Sequence, residues 1–267
     1  MSRLSVSAWG AAIALAMLAG CSSTPKDETA GMSNEKLYSE ARDEAAAGNY
    51  ERAIKFYERL EGRAAGTLLS QQAQLELAYA YYRTGERAQA LATLDRFIKL
   101  HPSSPALDYA LYLRGLVNFN DNLGLFGSLS RQDLSERDQQ AAKEAFQSFK
   151  QLVEQFPSST YAPDAKLRMN YIVNSLAAYE VHVARYYFRR GAYLAAANRA
   201  QAAIQGYQES PAIEEALYIL ARSYDRLGLE QLRDDAERVL KTSFPDSPYL
   251  TQGLQAREQD KPWWQLW

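Results

Sequence analysis

A spaced pattern of glycine, alanine and proline recurs along this chain and leaves room for little except paired helices. Gly48-Asn49-Tyr50 is followed by Ala53 and Tyr57, and Gly85-Glu86-Arg87 by Ala90, Leu94 and Pro102. Ala145, Phe149 and Pro157 repeat the later half of that pattern. Gly191-Ala192-Tyr193 is followed by Ala196 and Ala200, and Gly228, less regularly, by Pro245. An end marker returns as His101-Pro102-Ser103-Ser104, Phe156-Pro157-Ser158-Ser159 and Phe244-Pro245-Asp246-Ser247. Each element has a physical job. Glycine ends the first helix of a pair in the left-handed conformation that other residues resist. The small alanine lets the two helices approach closely. Proline stops the second helix, and the Ser or Asp after it can cap the next.

Between these markers the chain is rich in Ala, Leu, Gln, Glu, Arg and Tyr and poor in Gly and Pro, which favours helix throughout. Self-similarity at a period of roughly 20–50 residues is the mark of a stacked repeat protein. The pattern resembles the tetratricopeptide repeat, in about five copies from residue 33 to about 249. The expected fold class is therefore all-α, a superhelical stack of helix pairs whose first helices line a concave, peptide-binding face.

Two copies are distorted and a third is irregular. The third repeat carries an insertion, 121–138, between its helices. In the fourth, the stretch from Pro163 to Arg190 contains no internal breaker, so the first helix should be unusually long, ~40 Å at 1.5 Å per residue. In the fifth, Arg233 stands where the small alanine is expected, so that pair should pack loosely.

The N-terminus has a different grammar. Arg3 supplies a positive start, residues 8–19 an apolar run, and Leu18-Ala19-Gly20-Cys21 reads as a bacterial lipobox. On this reading residues 1–20 are a signal peptide, Cys21 is lipidated, and 22–32 with Pro25 form a flexible tether reaching roughly 20 Å. The apolar run is shorter than the ~20 residues that a spanning helix needs. Cys21 is the only cysteine of 267 residues, so its acylation would leave no thiol for disulfides or catalysis. Ser22, rather than Asp, after the cysteine leans toward outer-membrane sorting.

Enzyme signatures are absent from the sequence. His101 precedes a proline and His182 lies within the long helix, and neither has ligand-type neighbours at metal spacing. There is no nucleophile elbow, P-loop or dinucleotide fingerprint. With 30 basic and 32 acidic residues the charges nearly balance, which argues against a nucleic-acid surface. The reading is a binding protein with no cofactor and no metal.

Tyrosine is abundant, 18 residues in all. By repeat register Tyr81 should pack between helices. Tyr38, Arg42, Tyr79, Tyr82, Arg83, Tyr109 and Tyr112 should face the groove, where a ring with a polar tip suits peptide binding. The competing assignment for each ring is inter-repeat packing. The tail Lys261-Pro262-Trp263-Trp264-Gln265-Leu266-Trp267 either contacts a partner or membrane or folds back on the last repeat.

The lipobox, tether and five repeats together resemble the BamD family, lipoproteins of the outer-membrane β-barrel assembly machinery. The match extends to Tyr79-Ala80-Tyr81-Tyr82, Asp95-Arg96-Phe97-Ile98, Asp108-Tyr109 through Arg114-Gly115, and Phe126-Gly127 with Arg131 and Arg137-Asp138. Arg190-Gly191-Ala192-Tyr193 and Asn198-Arg199 complete it. The resemblance implies a non-enzymatic, lipid-anchored scaffold on the periplasmic side of the outer membrane. Its N-terminal repeats, 33–160, would engage unfolded outer-membrane proteins and a BamC-like lipoprotein. Its C-terminal repeats, 161–249, would dock on a POTRA domain of a BamA-like barrel protein, leaving 250–267 as the Trp-rich tail. It further implies Arg190, Tyr193 and Arg199 as partner-binding residues, with Arg199 meeting an acidic group of that domain. The runner-up is a periplasmic repeat adaptor for cell-wall or division machinery. One departure stands out: where the family usually has an aromatic-Pro-Phe-Gly turn, this chain reads Gly62-Arg63-Ala64-Ala65-Gly66-Thr67-Leu68-Leu69.

Overall fold

The computed structural model describes residues 29–119 and 139–255. Cys21 and the lipobox, most of the tether, the insertion and the tryptophans of the tail lie outside the described residues. Within them the chain forms eleven α-helices and a closing 3-10 turn, with no strand. The helices are α1 (Asn34–Ala46), α2 (Tyr50–Arg63), α3 (Leu68–Thr84), α4 (Arg87–Leu100), α5 (Leu107–Asn118) and α6 (Gln139–Gln155). They continue as α7 (Ala162–Arg189), α8 (Tyr193–Gly206), α9 (Ile213–Arg226), α10 (Glu230–Ser243) and the short α11 (Pro248–Gln252). Two compact units divide within α3, between Ala80 and Tyr81.

The expected glycine corners are present. Gly48, Gly85, Gly191 and Gly228 have φ of 83°, 81°, 76° and 71°. After each, the next amide donates to a carbonyl five residues back: Asn49 to Glu44, Glu86 to Tyr81, Ala192 to Tyr187, Leu229 to Tyr224. This is the Schellman ending, which satisfies carbonyls that the helix itself leaves open. Ala53, Ala90 and Ala196, five residues after their glycines, are fully buried. Arg233, at the corresponding place in the fifth pair, reaches outward to Asp225 at 3.2 Å and Asp234 at 2.8 Å. There α10 buries only Ala236 and Leu240.

The end markers also fold as one turn. The amides of Ser104, Ser159 and Ser247 donate to the carbonyls of His101, Phe156 and Phe244. Each serine Oγ then accepts an amide at the start of the next helix, from Ala106, Tyr161 and Tyr249. A fourth copy, Tyr207 to Ser210, makes the same bonds with Gln208 where the others have proline, so that proline spacing does not reveal it.

In the first unit the core is built from Leu37 and Ala41 of α1, Ile54, Phe56, Tyr57 and Leu60 of α2, and Ala73 and Leu77 of α3. In the second unit α7 runs 28 residues, about 42 Å, as its lack of breakers predicts. It belongs to two cores. Its first half, through Ile172 and Leu176, packs with Leu107, Leu111, Phe149 and Leu152 of α5 and α6. Its second half, through Val181 and Ala184, packs with α8, α9 and α10. The first core is tight at Gly115, where an added Cβ would lie 2.3 Å from a ring carbon of Phe149. A buried bidentate pair, Arg185 with Glu215, ties α7 to α9, and the Tyr249 hydroxyl donates to the same carboxylate at 3.3 Å.

Candidate binding surfaces

The residues expected to line one groove fall in two units, and each group has its own surroundings. In the first unit Tyr38 is half-buried, its ring 6.2 Å from that of Tyr57, with the exposed Arg42 guanidinium 5.9 Å from the Tyr38 centroid. Tyr57, not singled out for this role, is fully buried, and its hydroxyl has no hydrogen-bond partner among the described residues. Burial, reinforced by the nearby Glu76 carboxylate, holds the Tyr57 phenol well above its usual range. Burial likewise raises Glu76, with Arg42 partly opposing it. Tyr79 is half-buried and meets Tyr50 edge to face at 6.3 Å. The stretch 62–69 is closed by Gly66 at φ 84° and by Thr67, whose hydroxyl donates to the Ala64 carbonyl.

In the second unit Tyr81 is buried, Tyr82 half-buried and Arg83 exposed at the end of α3. Tyr109 and Tyr112 converge on Tyr161, a residue the register argument missed. The Tyr112 ring stacks on it at 4.8 Å, and Tyr109 lies 5.6 Å away. The Tyr112 hydroxyl donates to Asp164 at 2.7 Å, and that carboxylate also accepts from Arg168 at 2.6 Å. Burial, with the bond to Asp164, pushes the Tyr112 phenol up to about 12. Burial would raise Asp164 too, but the bonds from Arg168 and Tyr112 outweigh it and hold the carboxyl below its usual range. These rings join α5 to the start of α7 and keep one edge exposed.

Around the Gly191 corner, Arg190 lies over Tyr186 at 5.4 Å and Tyr193 meets Phe188 edge to face at 5.5 Å. Arg199 projects from α8 to Glu180 of α7, at 3.1 Å, and keeps 45% of its side chain exposed. The ion pair raises its already high pKa. The structure adds Leu167, Tyr171 and Tyr186, exposed by 70%, 45% and 53% along one helix, α7. Their spacing of four and fifteen residues fits one helical face, but α7 is apolar around much of its circumference, which hides that face from sequence periodicity.

Among the described residues no group of three or more His, Cys, Asp or Glu could hold a metal ion. His101 packs on Phe97 and His182 is exposed. No described helix is long and apolar enough to cross a membrane.

Residues 30–240 match the family described as YfiO, outer membrane lipoprotein. The outer membrane protein assembly factor BamD of Neisseria meningitidis serogroup A is 51% identical over 239 residues, covering 90% of this chain and 89% of that one. The chain belongs to the BamD family. The BamD of Neisseria gonorrhoeae is 47% identical, with 97% and 96% of the two chains covered. That of Vibrio cholerae is 36% identical, with 86% and 95% covered. Among solved structures the chain is similar to MamA, at 16% identity and a TM-score of 0.38, covering 86% of this chain and 97% of that one. Membership of the BamD family makes this chain an outer-membrane protein assembly factor.

Proposed function

We propose that this chain is a non-enzymatic scaffold, anchored through acylated Cys21 to the periplasmic face of the outer membrane. It holds unfolded β-barrel chains and the POTRA region of a BamA-like protein for insertion, and binds a BamC-like lipoprotein. The observation that carries the reading is the 51% identity to a BamD over 90% of the chain. In the first unit the half-buried rings Tyr38 and Tyr79 with exposed Arg42, and in the second Tyr82, Tyr109 and Tyr112 with exposed Arg83, each offer the amphipathic side chains that an alternating, half-apolar barrel strand requires. Arg190, Tyr193 and Arg199 supply residues 161–249 with a cationic, aromatic patch for an acidic partner domain.

Arg199 tests this directly. Arg199→Glu places a carboxylate against Glu180 and against the acidic partner, and is expected to lower co-purification of the BamA-like protein at least tenfold while helix content by circular dichroism stays unchanged. Glu180→Gln keeps the cation and should leave co-purification intact. Equal recovery with Arg199→Glu, or recovery of peptidoglycan enzymes in place of a barrel protein, would sink the assignment.

A further inference from the structure

The double length of α7 has a structural by-product. Its siblings α5 and α9 have 12 and 14 residues, and α7 has 28. Because α6 packs on the first half of α7 and α8 on the second, those two helices do not close completely over its middle. A cleft of about 160 Å³ remains there. Its walls are Phe146 of α6, Val173 and Leu176 of α7, and Tyr207 at the end of α8, with exposed Lys143 and Gln147 at its edge. Tyr207 holds the place that His101, Phe156 and Phe244 hold in the other end turns, and it alone of the four packs against both cores.

Size and charge restrict what can fill this space. It is smaller than the roughly 300–1,000 Å³ of a drug-sized ligand site. A cavity of about 150 Å³ lined by apolar side chains accepts a benzene ring. Apart from the Tyr207 hydroxyl and the exposed Lys143 and Gln147 side chains the lining is hydrocarbon, so a polar metabolite would lose more hydration than it regained. Lys143 makes no ion pair among the described residues. Glu180 is paired with Arg199 at 3.1 Å, and Lys143 is left, among the described residues, as the unpaired cation of the cleft lining.

We propose that this cleft between α6, α7 and α8 is an anchor site for a partner protein, taking one aromatic side chain from a segment that carries a carboxylate beside it. The ring sits between Phe146 and Tyr207, and the neighbouring acid pairs with Lys143. Buried aromatic anchors of this kind supply much of the energy of protein interfaces. None of Arg190, Tyr193 and Arg199 lines this cleft.

The test uses the full chain with labelled Val and Leu methyls and two tetrapeptide probes, acetyl-Ser-Asp-Phe-Ser-amide and acetyl-Ser-Lys-Phe-Ser-amide. The acidic probe should shift the Val173 and Leu176 methyls saturably and bind roughly fivefold more tightly than the basic one, the worth of an exposed ion pair. In Lys143→Gln that preference should vanish. Gly206 lines the cleft, and a Cβ there meets nothing within 4 Å, so Gly206→Leu should fill the cleft without strain and abolish the shifts. Absence of saturable shifts, unchanged binding in Gly206→Leu, or a preference that survives Lys143→Gln would overturn the proposal. Self-association of the chain that Gly206→Leu abolishes would replace the partner with a second copy and overturn it equally.

Discussion

Glu76 and Gly115 show how single residues are constrained by neighbours far away in sequence. Burial raises the Glu76 carboxyl above its ordinary 4.5, with Arg42 only partly offsetting it. The folded form thus binds a proton more tightly than the unfolded chain. Its contribution to stability is fully present below about pH 4.5 and is lost as pH rises through the folded value. Glu76→Gln should therefore raise the melting temperature at pH 7, and the gain should shrink toward zero at pH 4. A constant gain across that range would contradict the buried carboxylate. Gly115 fails for a steric reason. A methyl group would overlap the Phe149 ring, so Gly115→Ala should cost about 2–3 kcal/mol in urea unfolding. Register places Tyr112 toward the groove, but no local pattern announces its partners Tyr161 and Asp164, some fifty residues on at the start of α7.

At the scale of elements the sequence was far more legible, because helix ends are decided locally. A left-handed residue and a missing amide act within a few positions of themselves. The corners at Gly48, Gly85, Gly191 and Gly228, the stops before Pro102, Pro157 and Pro245, and the unbroken α7 all fall where those rules place them. The turn at Tyr207 escaped because it performs the same bonding without the proline that marks the others. Two glycines with opposite roles check the reasoning. Gly85 sits at φ 81°, whereas Gly206 is the last residue of α8 with open space around it. Gly85→Ala should destabilise by about 1 kcal/mol, and Gly206→Ala should stabilise by several tenths, both read from thermal or urea unfolding. The same sign for both would mean that backbone conformation does not control these positions.

The molecule as a whole divides into two compact units within α3. Each has its own buried cluster, so a lesion in one should stay there. Gly115→Ala is expected to speed amide exchange in α5, α6 and the first half of α7 while α1 and α2 keep their protection. Uniform loss across both units would show a single cooperative body.

The amino-acid sequence by itself determined the helical class, the positions of most corners, the length of α7 and the family, since each is encoded in short-range backbone preference or in repeated spacing. Only the tertiary structure decided which rings are buried, that Arg199 is already held by Glu180, and that two cores share one helix with a cleft over its middle. Those outcomes depend on how side chains from distant segments fill common space, and close packing is a property of the assembled neighbours rather than of any one stretch.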